Sequence, residues 1–352
     1  MEQTKFRQTA YIYLIGVCCF SAFLLPGAVS GFADKTAVFV PLLGSGISVI
    51  YARFLYRLLR RHGSLRRMVA CRRGERGVKI ADFTIALWLF GIAVFYINAF
   101  YDRLASTAFG YMPRWVVVCA AVLSAALFAS AAPKTVARSG SIIFFILLAT
   151  LVLLFAFSAK GVDIQSLLPV KYKNFTFFVR ALLFPVGVSG LLSFFAYHFE
   201  APPLRFRALV GCQMAAGGFM SAIILFTQGV FGTAFAGKLS YPFFALIKST
   251  DALIRLEHFE SLISGIWIVM SLGFFIALLS VIITIWRRRL CKCTPAVKDV
   301  FTLLPHALLL LCALLLPENR FFNEFVLGTL MPIGNIALGI VPVCILSLTN
   351  KE

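Results

Sequence analysis

The chain has 352 residues, of which 61% are apolar and only 13% charged; soluble domains are about half apolar and about a quarter charged. This composition excludes an ordinary water-soluble domain and predicts an all-α integral membrane protein, because each bilayer-spanning helix needs about 20 mostly apolar residues. The net charge of +19 would suggest nucleic-acid binding in a soluble protein. Here the basic residues gather in short loops at every second connection, as membrane topology requires, so we expect no nucleic-acid partner.

Ten apolar segments, separated by charges, prolines and glycines, are long enough to be transmembrane helices. In chain order they cover residues 9–32, 36–56, 80–101, 114–132, 140–159, 177–199, 207–230, 261–286, 299–316 and 322–347. The first apolar run follows Lys5 and Arg7 and is too long for a cleaved signal, so we expect it to remain as span one. The last two spans are separated only by residues 317–320, which predicts a tight turn.

The distribution of positive charge predicts both termini on the cytoplasmic side. About two thirds of the Lys and Arg residues fall in the segments that this orientation places inside. The loop after span two is the richest, with ten basic residues between Arg53 and Lys79. It serves either as a topology anchor or as a surface for anionic headgroups or a cytoplasmic partner.

Spans one and six contain proline and glycine at similar places. Residues 24–31 (LLPGAVSG) and 183–190 (LFPVGVSG) are identical at five of eight positions. Both segments favour a broken helix, and broken helices at matching places in two halves are typical of transporters built on an inverted repeat. We therefore predict one transmembrane domain over residues 1–352, with repeat one at about 9–159 and repeat two at about 177–347. The alternative is a chance match.

Broken helices place partial charges near the membrane midplane, amides toward an anionic group and carbonyls toward a cation. Such a site suits a zwitterion, so an amino acid is the natural ligand. The alternative is that the small residues are contacts between closely packed helices. The predicted ligand-binding residues are Ser21, Ala22, Pro26, Gly27, Pro185, Gly187, Ser189 and Gly190.

Other functional classes find little support. The carboxylates Asp82, Asp102, Glu200, Glu260 and Glu324 fall near span ends, which argues against a proton-driven symporter. The chain contains no P-loop, G-x-S-x-G or H-E-x-x-H motif, so we predict no enzyme and no catalytic residues. Cys291 and Cys293 have no neighbouring His or second Cys pair to complete a metal site, so we expect neither metal nor cofactor.

Outside the membrane, residues 241–260 carry apolar side chains at roughly helical spacing and predict one or two short helices at the outer mouth.

Several stretches of the chain resemble the endospore germination permeases, the membrane-spanning B subunits of nutrient germinant receptors in the amino acid/polyamine/organocation (APC) superfamily. The matching residues are Leu24-Leu25-Pro26 with Asp34, Leu167-Leu168-Pro169-Val170 with Ala181 to Pro185, and Tyr241-Pro242, Leu246-Ile247, Leu256 to Glu260 and Trp267.

This resemblance implies a LeuT-like core of about ten helices in a five-plus-five inverted repeat, with broken helices 1 and 6, in the inner spore membrane. It also implies binding of a small germinant such as an amino acid, and signalling to a larger membrane subunit and a lipoprotein. An amino-acid transporter of the same superfamily and a structural membrane protein are the alternatives. The residues expected at a gate or partner contact are Tyr241, Pro242, Glu257, His258, Glu260 and Trp267.

Overall fold

The computed structural model describes residues 6–107, 112–131, 133–163, 165–167, 175–199, 205–239, 241–249, 259–289, 295–317 and 319–349. Within these ranges, residues 23, 25–34, 107, 166, 199, 259–260, 295–301 and 320–321 are described by their backbone alone. All regular structure in the described part of the chain is helical.

The first half of the chain forms five long helices. They are α1 (Phe6–Ala33), α2 (Val40–His62), α3 (Leu65–Thr107), α4 (Arg114–Ala129) and α5 (Pro133–Ser158). Each overlaps one of the first five predicted spans, because each contains an apolar run of the length that crosses a bilayer, but α3 begins well before its predicted span at 80–101.

The second half begins with two helices in place of one. These are α6 (Phe175–Ser189) and α7 (Leu191–Phe199), followed by α8 (Phe206–Phe231), α9 (Thr233–Ala236), α10 (Pro242–Ser249), α11 (Phe259–Arg289) and α12 (Pro295–Leu315). The last span, residues 320–348, comprises α13 (Arg320–Phe325), α14 (Met331–Asn335) and α15 (Val341–Leu348), joined by π-helical turns at Val326–Leu330 and Ile336–Ile340. The predicted turn between the last two spans is confirmed.

Helix α1 lies at the centre of the bundle, where it packs against α5, α6, α8 and α11. Helix α2 packs against α6, α8 and α15, and α3 packs against α11 and α12. Large apolar side chains such as Leu127, Ile142 and Leu315 are exposed on the outside of this bundle. In water such a surface would be unstable, whereas in a bilayer it faces acyl chains.

Seven helical segments in the described residues are long and apolar enough to cross a membrane, and two shorter apolar segments lie at Arg114–Ala129 and Thr302–Leu315. The chain is a multi-pass membrane protein. Helix α1 adds a further 28-residue helix whose side chains are described only in part.

Span one is not broken. Helix α1 continues from Phe6 to Ala33 through Pro26 and Gly27, so the predicted interruption there is wrong. A proline removes one backbone donor, and in a membrane helix neighbouring groups can satisfy the carbonyl it releases. Pro185 likewise lies inside the continuous helix α6, so proline alone does not end a helix in this chain.

The basic segment after span two was predicted as a loop and is almost entirely helical. Helix α2 extends to His62 and α3 starts at Leu65, so only a two-residue connection separates them. Arginine is a good helix former. The end of α2 and the start of α3 form a helical hairpin, the basic hairpin, whose inner side carries the buried side chains of Leu58, Leu59 and Met68. Gly74, with φ 62° and ψ −165°, kinks α3 between its basic first two turns and its membrane-spanning part.

Candidate functional site

Span six is interrupted at Gly190. Helix α6 ends at Ser189 and α7 begins at Leu191. At this turn the Gly190 amide donates to the Gly187 carbonyl and the Ser193 amide donates to the Gly190 carbonyl, each over 3.0 Å. Both bonds span three residues, whereas those of a regular α-helix span four. The predicted break in span six is confirmed, and it lies five residues beyond the proline.

The glycines at this break are in close contact with the last span. A Cβ atom on Gly190 would lie 2.5 Å from the Asn335 carbonyl oxygen, and one on Gly187 would lie 2.3 Å from the Pro332 Cα. On the other side, a Cβ on Gly339 would lie 2.8 Å from the Gly190 carbonyl oxygen. These distances leave no room for a side chain, so the glycines let two backbones approach closely.

Hydroxyl groups connect the break to α2 and to the last span. Ser193 donates a 3.0 Å hydrogen bond to the Gly339 carbonyl, and its hydroxyl also hydrogen-bonds that of Tyr51. All three groups lie inside the bundle. Immediately before the break, Ser189 donates to the carbonyl of Pro185, one turn earlier, over 3.0 Å. Polar side chains from α2 and α7 therefore meet the backbone of the last span at the interruption.

A second polar pair joins α1 to α8 beside Ser189. The Tyr13 hydroxyl donates to Gln213 Oε1 over 3.0 Å, and Ser189 is a neighbour of that hydroxyl. Both residues are fully buried. The remaining Gln213 amide nitrogen, Nε2, has no hydrogen-bond partner among the described residues.

A third pair joins α3 to the last span. The Trp88 indole donates to Asn335 Oδ1 over 2.9 Å. Because an indole nitrogen is a donor only, this bond fixes the carboxamide with its nitrogen on the other side. Asn335 Nδ2 is buried and is bonded to no described residue. Unpaired buried donors destabilise a protein, so two amide groups near one helix break mark a place suited to water or a polar ligand.

Aromatic rings fill the space between α1, α3, α7 and α11. The ring of Phe274 lies 5.3 Å from those of Phe20 and Tyr96 and 6.3 Å from that of Phe195, each with an edge-to-face geometry. These rings are fully buried. Apolar edge-to-face packing therefore joins these four helices inside the bundle.

The spore germination protein family matches this chain over residues 42–322, which is well over half of its length. The chain belongs to this family. Members are permease-like germination proteins rather than enzymes, and the resemblance seen in the sequence is thereby confirmed. A comparison with curated proteins gives no match.

The predicted ligand-binding residues of this germination protein do not form one cluster. Ser21 and Ala22 are buried in α1, and the Ser21 hydroxyl donates to the carbonyl of Val17 over 2.5 Å. Pro185 is buried against Gly44 of α2, where a Cβ on the glycine would lie 2.6 Å from the proline ring. Pro26 and Gly27 lie in the helical part of α1 whose side chains are outside the described residues.

At one end of the helix bundle, short helix α10 brings together three of the predicted gate or partner residues. Pro242 begins this helix, Tyr241 precedes it, and the Trp267 ring of α11 lies 4.8 Å from Phe243 and 5.8 Å from Phe244. The predicted short helix is therefore confirmed. Glu257 and His258 lie outside the described residues, and the Glu260 side chain does also.

Arg103, near the C-terminal end of α3, is a charged residue buried beside this cluster. Its guanidinium carbon lies 3.6 Å from the centroid of the Phe244 ring. A cation over an aromatic face is attracted by the ring quadrupole, more strongly when both are shielded from water. The contact links α3 to α10 at this end of the bundle.

At the opposite end of the germination protein, Asp82 joins three helical segments. Tyr197 of α7 donates to Asp82 Oδ1 over 2.6 Å, and Arg66 lies 3.5 Å from Asp82 Oδ2. Asp82 and Tyr197 are both buried. This carboxylate lies near a span end, as predicted, and it fastens α7 to both sides of the Gly74 kink.

The sequence prediction missed the polar residues around the break, among them Tyr13, Tyr51, Ser193, Gln213 and Asn335. The sequence pattern indicated the small and hydroxyl residues of spans one and six, together with ionisable residues, as markers of a polar site within the membrane. Amide and hydroxyl groups inside apolar runs carry the same signal, because each needs a partner when it leaves water.

The described residues contain no group of three or more side chains able to hold a metal ion.

Proposed function

We propose that this chain is the permease-like subunit of a nutrient germinant receptor, binding a small germinant of the amino-acid class and signalling to partner subunits. The observation that carries the proposal is the interruption of span six at Gly190, surrounded by polar side chains from α1, α2, α8 and the last span. Family membership supplies the link to germination. The proposed partners are a larger membrane subunit and a lipoprotein, as the family resemblance implies.

The proposed topology has ten spans in the inner spore membrane, with both termini cytoplasmic. Its support is the agreement between the ten apolar segments and the helices, together with the basic residues that recur at one end of the bundle. In this orientation the Asp82–Tyr197 contact lies at the cytoplasmic end and the Arg103–Phe244 contact at the outer end. The five-plus-five repeat remains part of the proposal, with an interruption in its second half alone.

The proposed ligand site lies at the Gly190 break. A zwitterion needs donors for its carboxylate and acceptors for its ammonium group. The Gln213 and Asn335 amide nitrogens are buried donors near the break, while the carbonyl oxygens of the tightened turn are potential acceptors. Ser189 and Gly190 of the predicted set belong to this site. Ser21, Ala22, Pro26, Gly27, Pro185 and Gly187 are proposed to shape the helices around it.

We favour sensing over transport because two layers of side-chain contacts, one aromatic and one polar, lie across the bundle. The aromatic rings around Phe274 fill the centre of the bundle, and the Asp82–Tyr197 bond closes its cytoplasmic end. A transporter must open a path through both layers, whereas a sensor needs only to change the packing of α7 against its neighbours.

The experiment is amino-acid uptake measured alongside spore response. The purified chain in proteoliposomes should bind radiolabelled amino acid without accumulating it, and spores carrying Ser193→Ala should need more germinant than wild-type spores. Ser141→Ala is the matched control, because its hydroxyl bonds only the preceding turn of α5 in the same way as many membrane serines. Concentrative uptake by the chain alone would instead identify a transporter, and equal response of both variants would remove Ser193 from the site.

A further inference from the structure

An apolar cavity of about 360 Å³ lies between α3, α7 and the last span, near the end that carries the basic hairpin. Its walls include Ile85, Phe194, Leu338 and Val343. This volume is at the lower end of the range for small-molecule sites, about 300–1,000 Å³. The lining is too apolar for a free amino acid but suits a hydrocarbon chain.

The cavity opens sideways, toward the surface that meets lipid. Ile80 lines it and is 68% exposed, and Phe83 and Leu87 continue the same face of α3 with exposures of 56% and 60%. Positions separated by three and seven residues lie on one side of a helix. An acyl chain lying along this stripe can therefore enter the cavity without crossing a polar surface.

A positively charged side chain lies at the mouth of the cavity. Arg73 lines it, and the segment from Arg53 to Lys79 holds ten basic residues and a single acidic residue, Glu75. Arg73 and Arg76 on either side of the Gly74 kink are exposed. Arg72 donates to Thr349 Oγ1 over 2.7 Å, which ties the basic helix to the end of the last span. The mouth of the cavity therefore lies between α3 and the last span. The arginines of α3 beside it are at the depth of lipid headgroups.

From this combination we infer that the cavity is a binding site for an anionic phospholipid, with one acyl chain between α3 and the last span and the phosphate at Arg73. Neutral lipid would leave the cationic mouth unmatched, and a soluble anion would leave the apolar cavity unfilled. Basic pockets between membrane helices recognise anionic headgroups for this reason. The inference does not depend on germinant binding, and only the leaflet depends on the proposed orientation.

The cavity also reaches the contacts that hold α7. Ser193 and Gly339, which are hydrogen-bonded at the span-six break, form part of its wall, and so does Tyr197, the partner of Asp82. A bound acyl chain therefore packs against residues at both ends of α7. Lipid occupancy should stabilise this helix in the position described here.

The test is lipid binding to the delipidated full-length chain, measured by native mass spectrometry and thermal unfolding. Phosphatidylglycerol should bind and raise the melting temperature, and phosphatidylcholine of the same chain length should do so only weakly. Arg73→Gln should weaken phosphatidylglycerol binding about fivefold, since one basic residue near an anionic surface contributes about 1 kcal/mol. Arg138→Gln, an exposed arginine of α5 outside both the cavity lining and the segment from Arg53 to Lys79, is the matched control.

A second pair of variants tests the acyl-chain cavity independently of charge. Thr84→Phe fills the cavity and should reduce phosphatidylglycerol binding, whereas Leu127→Phe on the exposed face of α4 should not. Glycerol phosphate, which has the charged group without chains, should fail to compete. Equal binding of the two lipids, equal effects within either variant pair, or full competition by glycerol phosphate would each overturn the inference.

Discussion

Tyr197 donates a 2.6 Å hydrogen bond to Asp82, and this bond joins the end of the interrupted span six to the membrane-spanning part of α3. Arg66, from the helical turns before the Gly74 kink, lies 3.5 Å from the second carboxylate oxygen. Because both bonded side chains are buried, the interaction is shielded from water and from salt. The contact therefore controls how freely α7 can move relative to α3.

Removing the Tyr197 hydroxyl should loosen this end of the bundle. Tyr197→Phe is expected to lower the free energy of unfolding by about 2 kcal/mol, because a buried carboxylate loses a charge-assisted hydrogen bond. Thermal unfolding in detergent measures the change. Tyr56→Phe, a half-buried tyrosine packed on Phe206, is the control and should have a smaller effect. Equal losses in the two variants would show that the hydroxyl bond contributes no specific stability.

The close approach at the break predicts that Gly190 tolerates no side chain. Gly190→Ala should destabilise the chain by about 1–3 kcal/mol, since the added methyl would meet the Asn335 carbonyl oxygen at 2.5 Å. Gly211→Ala in α8 provides the comparison, because no atom of a neighbouring residue lies within 4 Å of its added methyl. There the substitution should be neutral or stabilising, as alanine favours helix. A Gly190 variant as stable as the Gly211 variant would contradict the packing of span six on the last span.

The aromatic cluster predicts a large cost for removing its central ring. Phe274→Ala should destabilise the chain by about 3–5 kcal/mol, because the ring contacts Phe20, Tyr96 and Phe195 and its loss leaves a cavity. Phe175→Ala, which removes a ring that is 72% exposed at the start of α6, should cost much less. Unfolding measurements on the two purified variants test this difference. If Phe274→Ala also allowed amino acid to accumulate in proteoliposomes, the cluster would be the barrier to transport.

Hydropathy predicted the helices well because the bilayer requirement is local. An apolar run of sufficient length must be helical to satisfy its own backbone, whichever helices surround it. Each of the ten predicted segments overlaps a helix in the described part of the chain, where seven segments are long and apolar enough to cross a membrane. The basic segment after span two was mispredicted as a loop, because charge density indicates the side of the membrane and not the backbone conformation.

The site was harder to predict because its contacts join distant parts of the chain. Proline and glycine predicted a helix break in both span one and span six. In the described residues of these two spans, only span six is interrupted, at Gly190, where the last span approaches it. The carboxamide of Asn335 and the hydroxyl of Tyr51 reach the break from other helices. No local pattern in residues 183–190 specifies which neighbours those are. The fold therefore follows from composition and length, whereas the site depends on tertiary packing.

Amino-acid binding to the purified full-length chain tests the proposed site most directly. Isothermal titration across the standard amino acids should find saturable binding of at least one, and Asn335→Leu and Gln213→Leu should each weaken it about tenfold or more by removing a buried donor to a charged group. Thr150→Val, which removes a hydroxyl bonded within α5, should leave the affinity unchanged. Saturable binding that survives in both amide variants, with all three variants folded, would contradict a ligand site at the Gly190 break.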